Sequence, residues 1–169
     1  MIALRDSVRR IAWAAAVGIS IFVVGCSTAK KKEEDLGGVP TAPAADENLM
    51  GDSDSGRAMG LQTVFFPYDN FVLTEEAKAT LKANADLMKE KPTLKVQIEG
   101  HCDQRGGIQY NIALGEKRAN SAKKYLIDLG VSEDRLSMIS FGKEKPLDTG
   151  ASEDAFAKNR RANFVLTAK

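Results

Sequence analysis

Between Leu61 and Lys169 the spacing of apolar residues switches back and forth between about two and between three and four, the two periods that separate strands from helices. Gln62–Phe66, "QTVFF", predicts a strand, and the loop "PYDNF" leads into a helix at Thr74. Thr74 suits an N-cap and Glu75 and Glu76 suit a first helical turn. Ala77, Leu81, Ala85 and Met88 then recur at helical spacing until Lys91-Pro92 stops the run. In "TLKVQIEG" Leu94, Val96 and Ile98 take one face and Lys95, Gln97 and Glu99 the other, the pattern of a half-buried strand. After the turn "CDQRGG" a second helix is expected from about Gln109 to Leu129. Gly130 supplies a left-handed end and Val131 the hydrophobic contact that accompanies it. "RLSMISFG" (Arg135 to Gly142) predicts a third strand, about Ser152 to Asn159 a short polar helix, and "RRANFVLTA" the last strand. This order gives an α/β two-layer sandwich, with helices on one face of a mixed four-stranded sheet.

The first 60 residues follow other rules. Arg5, Arg9 and Arg10 precede an apolar run from Ile11 to Val24, and the run closes on "GCS". That is the layout of an export signal over residues 1–25; the run is short for a membrane span, which needs about 20 apolar residues. "VVGC", Val23 to Cys26, resembles a bacterial lipobox, which implies acylation of Cys26 and a stable membrane anchor. Ser27 stands where an aspartate is associated with inner-membrane retention in enterobacterial lipoproteins, so the resemblance points to the outer membrane. From Ser27 to about Gly60 there is no aromatic residue, and Gly, Ala, Pro, Ser and charge dominate. Residues 26–60 are therefore expected to be a lipidated flexible tether, able to reach about 110 Å at full extension, with residues 61–169 as the folded domain.

Charge and cysteine content narrow the function. Removing Arg5, Arg9 and Arg10 together with Asp6 from 24 basic and 23 acidic residues leaves a nearly neutral chain, with no basic excess to bind nucleic acid. With Cys26 acylated, Cys102 has no intramolecular partner, so no disulfide framework is expected.

Candidate chemistry concentrates in "EGHCDQRGGIQYNIALGEKRAN", Glu99 to Asn120. On a helical wheel Arg118 falls inside the arc of Leu114, Ala122, Tyr125, Leu126 and Leu129. Such an arginine either snorkels or pairs within the protein, or it waits for a ligand. The preceding turn supplies His101, Asp103 and Arg105, with Gly106 and Gly107 leaving room for close approach. An acid and a guanidinium converging there can hold a zwitterion, acid to ammonium and guanidinium to carboxylate.

The stretch "IEGHCDQRGGIQYNIALGEKRANSAKKYL" resembles the signature segment of the OmpA-like peptidoglycan-binding domain family, and "VFFPYDNFVLT", "SFGKEKP" and "KNRRANF" match its other landmarks in order. The lipobox and tether fit the lipid-anchored members better than the porin-fused or flagellar-motor ones. The resemblance implies a ligand, the diaminopimelate of the peptidoglycan stem peptide. It assigns Asp103 to the ammonium, Arg118 to the carboxylate, Arg105 to a place beside the site, and the loop of Tyr68 and Asp69 to backbone contacts with the carboxylate. It further implies a periplasm-facing outer-membrane lipoprotein that links membrane to wall, with roles in envelope integrity and cell division. A β-propeller protein of the Tol system is the implied partner, at an overlapping surface. No enzymatic activity and no cofactor are expected.

Competing readings stay in view. His101 with Glu99, Cys102 and Asp103 suggests a metal site, or with Cys102 a nucleophile and base, but neighbours on a strand point to opposite faces. His101 is expected instead to be structural, its ring hydrogen-bonded near the turn, and Cys102 to be a small packed thiol. Of Arg160 and Arg161, one suits a brace behind the site, while "KNRR" also reads as a solvated turn.

Overall fold

The computed structural model describes residues 51–168. The expected signal segment, the lipidation at Cys26 and most of the expected tether lie outside the described residues. Strand β1 (Val64–Phe65) is followed by α1 (Glu75–Glu90), β2 (Lys95–His101), α2 (Ile108–Asp128), a 3-10 turn (Glu133–Arg135), β3 (Leu136–Gly142), α3 (Glu153–Asn159) and β4 (Arg161–Ala168). The sheet order is β1-β4-β2-β3; β2 and β3 run parallel, and the other two pairings are antiparallel. This is the expected mixed four-stranded sheet of an α/β sandwich.

Local chemistry sets the helix ends. Thr74 Oγ1 accepts the Ala77 amide at 3.2 Å and Ser152 Oγ accepts that of Ala155 at 3.2 Å, each satisfying a free N–H of a first turn. Gly130, at φ +93°, closes α2, and the Val131 amide returns to the Leu126 carbonyl at 3.0 Å. The core lies between α1, α2 and one sheet face. Leu81, Ala85 and Met88 of α1 meet Ala119, Ala122 and Leu126 of α2 over Val96, Ile98, Phe164 and Leu166, all buried. Register explains the pattern: Val96 faces Leu166 and Ile98 faces Phe164, so both strands turn the same parity toward the helices.

One contact fixes the height of α2 above the sheet. A Cβ on Gly100 would stand 1.9 Å from the Gly115 carbonyl oxygen, and one on Gly115 would stand 2.3 Å from Ser140 Oγ. Helix and strand backbones touch there, at the end of the sheet where the loop Cys102–Gly107 leaves for α2.

The expected boundary at Leu61 is too late. Asp52 bridges to Val165, the Ser53 amide donates to the Phe164 carbonyl at 3.0 Å and the Leu166 amide to that of Gly51 at 2.8 Å. Asp54 pairs with Arg161 at 2.8 Å, and Ala58 is fully buried. This segment takes up part of the outer edge of β4. That is why β1 pairs over two residues only, rather than the whole of Gln62–Phe66; Gln62 bonds instead through both backbone groups to the Asn84 side chain.

Candidate functional site

Arg118 is the largest fully buried side chain, at 1 % exposure. Its Nε donates to the Asn70 carbonyl at 2.9 Å, Nη1 to that of His101 at 2.8 Å and Nη2 to that of Pro67 at 3.2 Å. The guanidinium thus ties the Pro67–Asn70 loop to the end of β2, with the Phe66 ring 5.4 Å from its central carbon. All three acceptors are neutral, and no carboxylate lies within ion-pairing distance among the described residues. Burial pulls its pKa below the usual arginine range. The group remains a cation, because a guanidinium does not deprotonate in proteins. Its positive charge is therefore buried without a partner of opposite sign, and two of its five N–H donors are left over.

Arg118 belongs to the wall of a cavity of about 250 Å³, lined also by Tyr68, Asp69, Asp103, Arg105 and Tyr110 among others. The five residues assigned from the sequence, Tyr68, Asp69, Asp103, Arg105 and Arg118, all meet here. Asp69 holds a positive φ of 49°, a conformation that aspartate tolerates better than most side chains, and its Oδ1 accepts the Tyr110 hydroxyl.

Asp103 is already bonded within the protein. Its Oδ2 accepts Arg105 Nη2 at 2.6 Å and Arg160 Nη1 at 3.3 Å, and its Oδ1 accepts the Arg105 amide at 3.1 Å. Burial works against its charge, but the hydrogen bonds from Arg105 and Arg160 outweigh it and hold the carboxyl below the ordinary aspartate range. Glu153 at the start of α3 binds both arginines, at 3.2 Å to Arg105 and 2.8 Å to Arg160.

Several residues of the site escaped the sequence reading. Asn111 is buried, and its Nδ2 donates to the carbonyls of Arg105 at 2.7 Å and Gly107 at 3.2 Å, which shapes the loop. It stands two helical turns before Arg118 on the same arc, so a second polar residue in the apolar stripe was the available signal. Tyr110 was also within reach, since it lies inside the quoted stretch. Glu153 and Phe156 left no local trace. Arg160 and Arg161 are both buried, so "KNRR" is not a solvated turn: Arg160 braces Asp103, and Arg161 holds Asp54 on the opposite sheet face.

His101 and Cys102 form no nucleophile and base pair. The Cys102 thiol donates toward the Asn111 carbonyl on α2 at 3.3 Å, and burial pushes its pKa up to about 11. The His101 ring lies on the other face, stacked on Phe141 at 5.7 Å. Neither ring nitrogen has a hydrogen-bond partner, contrary to expectation; Nε2 stands 3.4 Å from Glu99 Oε2 without suitable alignment. Burial lowers its pKa. No group of three or more metal-ligating side chains occurs among the described residues.

An α/β sandwich that sets a buried guanidinium without an anionic partner and an arginine-bound carboxylate in the wall of one cavity has the features of a domain that recognises a charged ligand. The chain belongs to the OmpA family, whose model matches residues 65–160. It is 37 % identical over 161 residues to the peptidoglycan-associated lipoprotein of Pseudomonas aeruginosa, covering 89 % of this chain and 94 % of that protein. To the peptidoglycan-associated lipoprotein of Haemophilus influenzae it is 44 % identical over 100 residues, 59 % of this chain and 65 % of that one. The crystal structure of the peptidoglycan-associated lipoprotein from Burkholderia pseudomallei superposes with a TM-score of 0.61 at 35 % identity, over 67 % of this chain and 96 % of that one. A binding protein rather than an enzyme agrees with that membership.

Proposed function

We propose that the protein is a periplasm-facing, lipid-anchored outer-membrane protein that binds peptidoglycan non-covalently and so ties the membrane to the wall. The relatives named above carry peptidoglycan association and lipoprotein character in their names. The observation that carries the reading is Arg118, a buried cation in a cavity wall with no carboxylate beside it. A ligand carboxylate supplies the missing charge.

The ligand is the diaminopimelate of the stem peptide, which offers an ammonium and a carboxylate on one carbon. Around the cavity Asp103 and Glu153 pair with Arg105 and Arg160, and Asp69 and Arg118 line the same wall. A zwitterion adds no net charge to this set, whereas an anion or a cation alone does. Arg118 takes the carboxylate, Asp103 the ammonium, and the Tyr68–Asp69 loop, held by Arg118, closes one side. No helix among the described residues is long and apolar enough to cross a membrane. In this reading the anchor is Cys26.

The exposed apolar side chains beside the cavity favour a second, compatible role in protein interaction. Tyr68, Phe71, Val72, Ile108 and Tyr110 are each at least 40 % exposed, a rim suited to a protein partner. A Tol-system β-propeller protein is the partner of this reading, with envelope integrity and cell division as the processes served.

The test is calorimetric titration of the full chain, in detergent, with a diaminopimelate muropeptide. Wild-type protein binds saturably, and Asp103→Asn weakens binding about ten- to a hundredfold, the cost of one charge-assisted hydrogen bond. Unchanged affinity in a folded Asp103→Asn variant removes the assignment.

A further inference from the structure

Arg105 is held by two rings and two carboxylates, with 35 % of its side chain exposed. Its guanidinium carbon lies 4.1 Å from the Tyr68 ring centroid and 4.5 Å from that of Phe156, in a slot between two aromatic faces. Within the slot, Nη2 and Nε reach Asp103 Oδ2 at 2.6 and 3.3 Å, while Nη1 reaches Glu153 Oε2 at 3.2 Å. The other oxygen of Glu153 accepts Arg160 Nη1 at 2.8 Å. One carboxylate on α3 therefore shares both of the arginines that neutralise Asp103.

We propose that Arg105 is an exchangeable cap on Asp103, and that Glu153 and Phe156 are positioning residues that make the exchange possible. The inference rests on the reading of Asp103 as the acceptor of a ligand ammonium. In the structure described here a guanidinium occupies that carboxylate. An arriving primary ammonium takes over Asp103 Oδ2, and Arg105 withdraws from Asp103 while it keeps Glu153 and the ring slot. Arg160 stays in place: its side chain is 9 % exposed, and its Nε is tied to the Phe66 carbonyl at 3.2 Å. No covalent bond changes and no proton moves. The added positive charge is balanced by the ligand carboxylate at Arg118.

Without Glu153, Asp103 is the one anion left to Arg105 among the described residues, and the ammonium must displace it outright. A ligand that lacks a free amine leaves the cap closed. The cap thus selects for an unmasked amino-acid end, which a static pair of charges does not do as sharply.

Four forms of the full chain in detergent decide the matter: wild type, Glu153→Gln, Arg105→Ala and the double variant. Each is titrated by calorimetry with a diaminopimelate muropeptide and with the same muropeptide N-acetylated on its side-chain amine. Unfolding temperatures show that each variant is folded, with Arg105→Gln in reserve if the alanine variant is not. Glu153→Gln is expected to weaken binding of the free-amine form roughly three- to fivefold, the scale of a half-exposed ion pair. This loss shrinks when Arg105 is absent, and what remains is the part that Glu153 exerts through Arg160, whose Nη1 it also holds at 2.8 Å. A Glu153→Gln loss that persists undiminished without Arg105, or no loss at all, overturns the cap and leaves the ammonium assignment standing. Wild-type protein that binds neither muropeptide overturns both.

Discussion

Truncating Asp54 to alanine tests how the segment before Leu61 is joined to the sheet. Asp54 Oδ2 accepts Arg161 Nε at 2.8 Å, with side-chain exposures of 10 % and 5 %. The other acceptors of Arg161 are distant, the Asn159 carbonyl at 3.5 Å and the Lys145 carbonyl at 3.4 Å, so the alanine variant strands a buried guanidinium. Breaking one side of such a pair costs about 3–5 kcal/mol. At about 4 °C per kcal/mol for a domain of this size, the midpoint of thermal unfolding drops by roughly 12–20 °C. Circular dichroism at 222 nm on wild type, Asp54→Ala and Asp54→Ala/Arg161→Met reads it directly. The double variant recovers most of the loss, because the stranded charge is gone. A fall of less than about 4 °C in Asp54→Ala refutes the argument and restores Leu61 as the start of the folding unit.

Gly100→Ala drives a methyl into the Gly115 carbonyl, 1.9 Å from the ideal Cβ, and costs about 3 kcal/mol or more as α2 is pushed off the sheet; urea unfolding measures it, and a loss below about 1 kcal/mol contradicts the close contact. His101 gives a pH dependence of known sign. Burial depresses its folded pKa below the unfolded value, so below about pH 6.5 the unfolded chain binds the extra proton. Stability therefore rises from pH 5 to about 6.5, by at most about 1.4 kcal/mol per pH unit, and flattens above. As the chain has one histidine, His101→Phe, which keeps an aromatic ring against Phe141, removes that slope; a slope that survives assigns it elsewhere.

Where side chains announce their own backbone, the sequence was enough. The cap at Thr74, the alternation of Leu94 to Glu99 and the glycine at 130 each describe a local bond, and α1, β2 and the end of α2 follow them. The short β1 was not legible, because its limit comes from Gly51–Ser53 at the same edge of β4, and "GDSDSG" pairs there through backbone groups that leave no apolar pattern. The site divides the same way. Arg118 stood out as a charge in an apolar stripe, but its three partners are carbonyls, and a carbonyl is present at every residue. Asp103 was readable as an acid in a loop; its neutralisation by Arg160 and the reach of Glu153 depend on how α3 is laid beside that loop, a long-range outcome without a motif.

Arg160 and Arg161 connect the two ends of the molecule. Neighbouring residues at the start of a strand point to opposite faces, so Arg160 turns to Asp103 and the cavity while Arg161 turns to Asp54 and the segment that leads back toward the N-terminus. On the proposed function this places the wall site and the segment that leads back toward the anchor on neighbouring residues, Arg160 just before β4 and Arg161 its first residue. A pull on the tether enters at Gly51–Ser53, through amide bonds to Phe164 and Leu166 and the ion pair at Arg161. It reaches the brace of Asp103 one residue later, along β4, whose Phe164 and Leu166 side chains belong to the apolar core. The load path is then a short run of β4 backed by β2, and the Asp54–Arg161 pair, which stabilises the fold, lies on it.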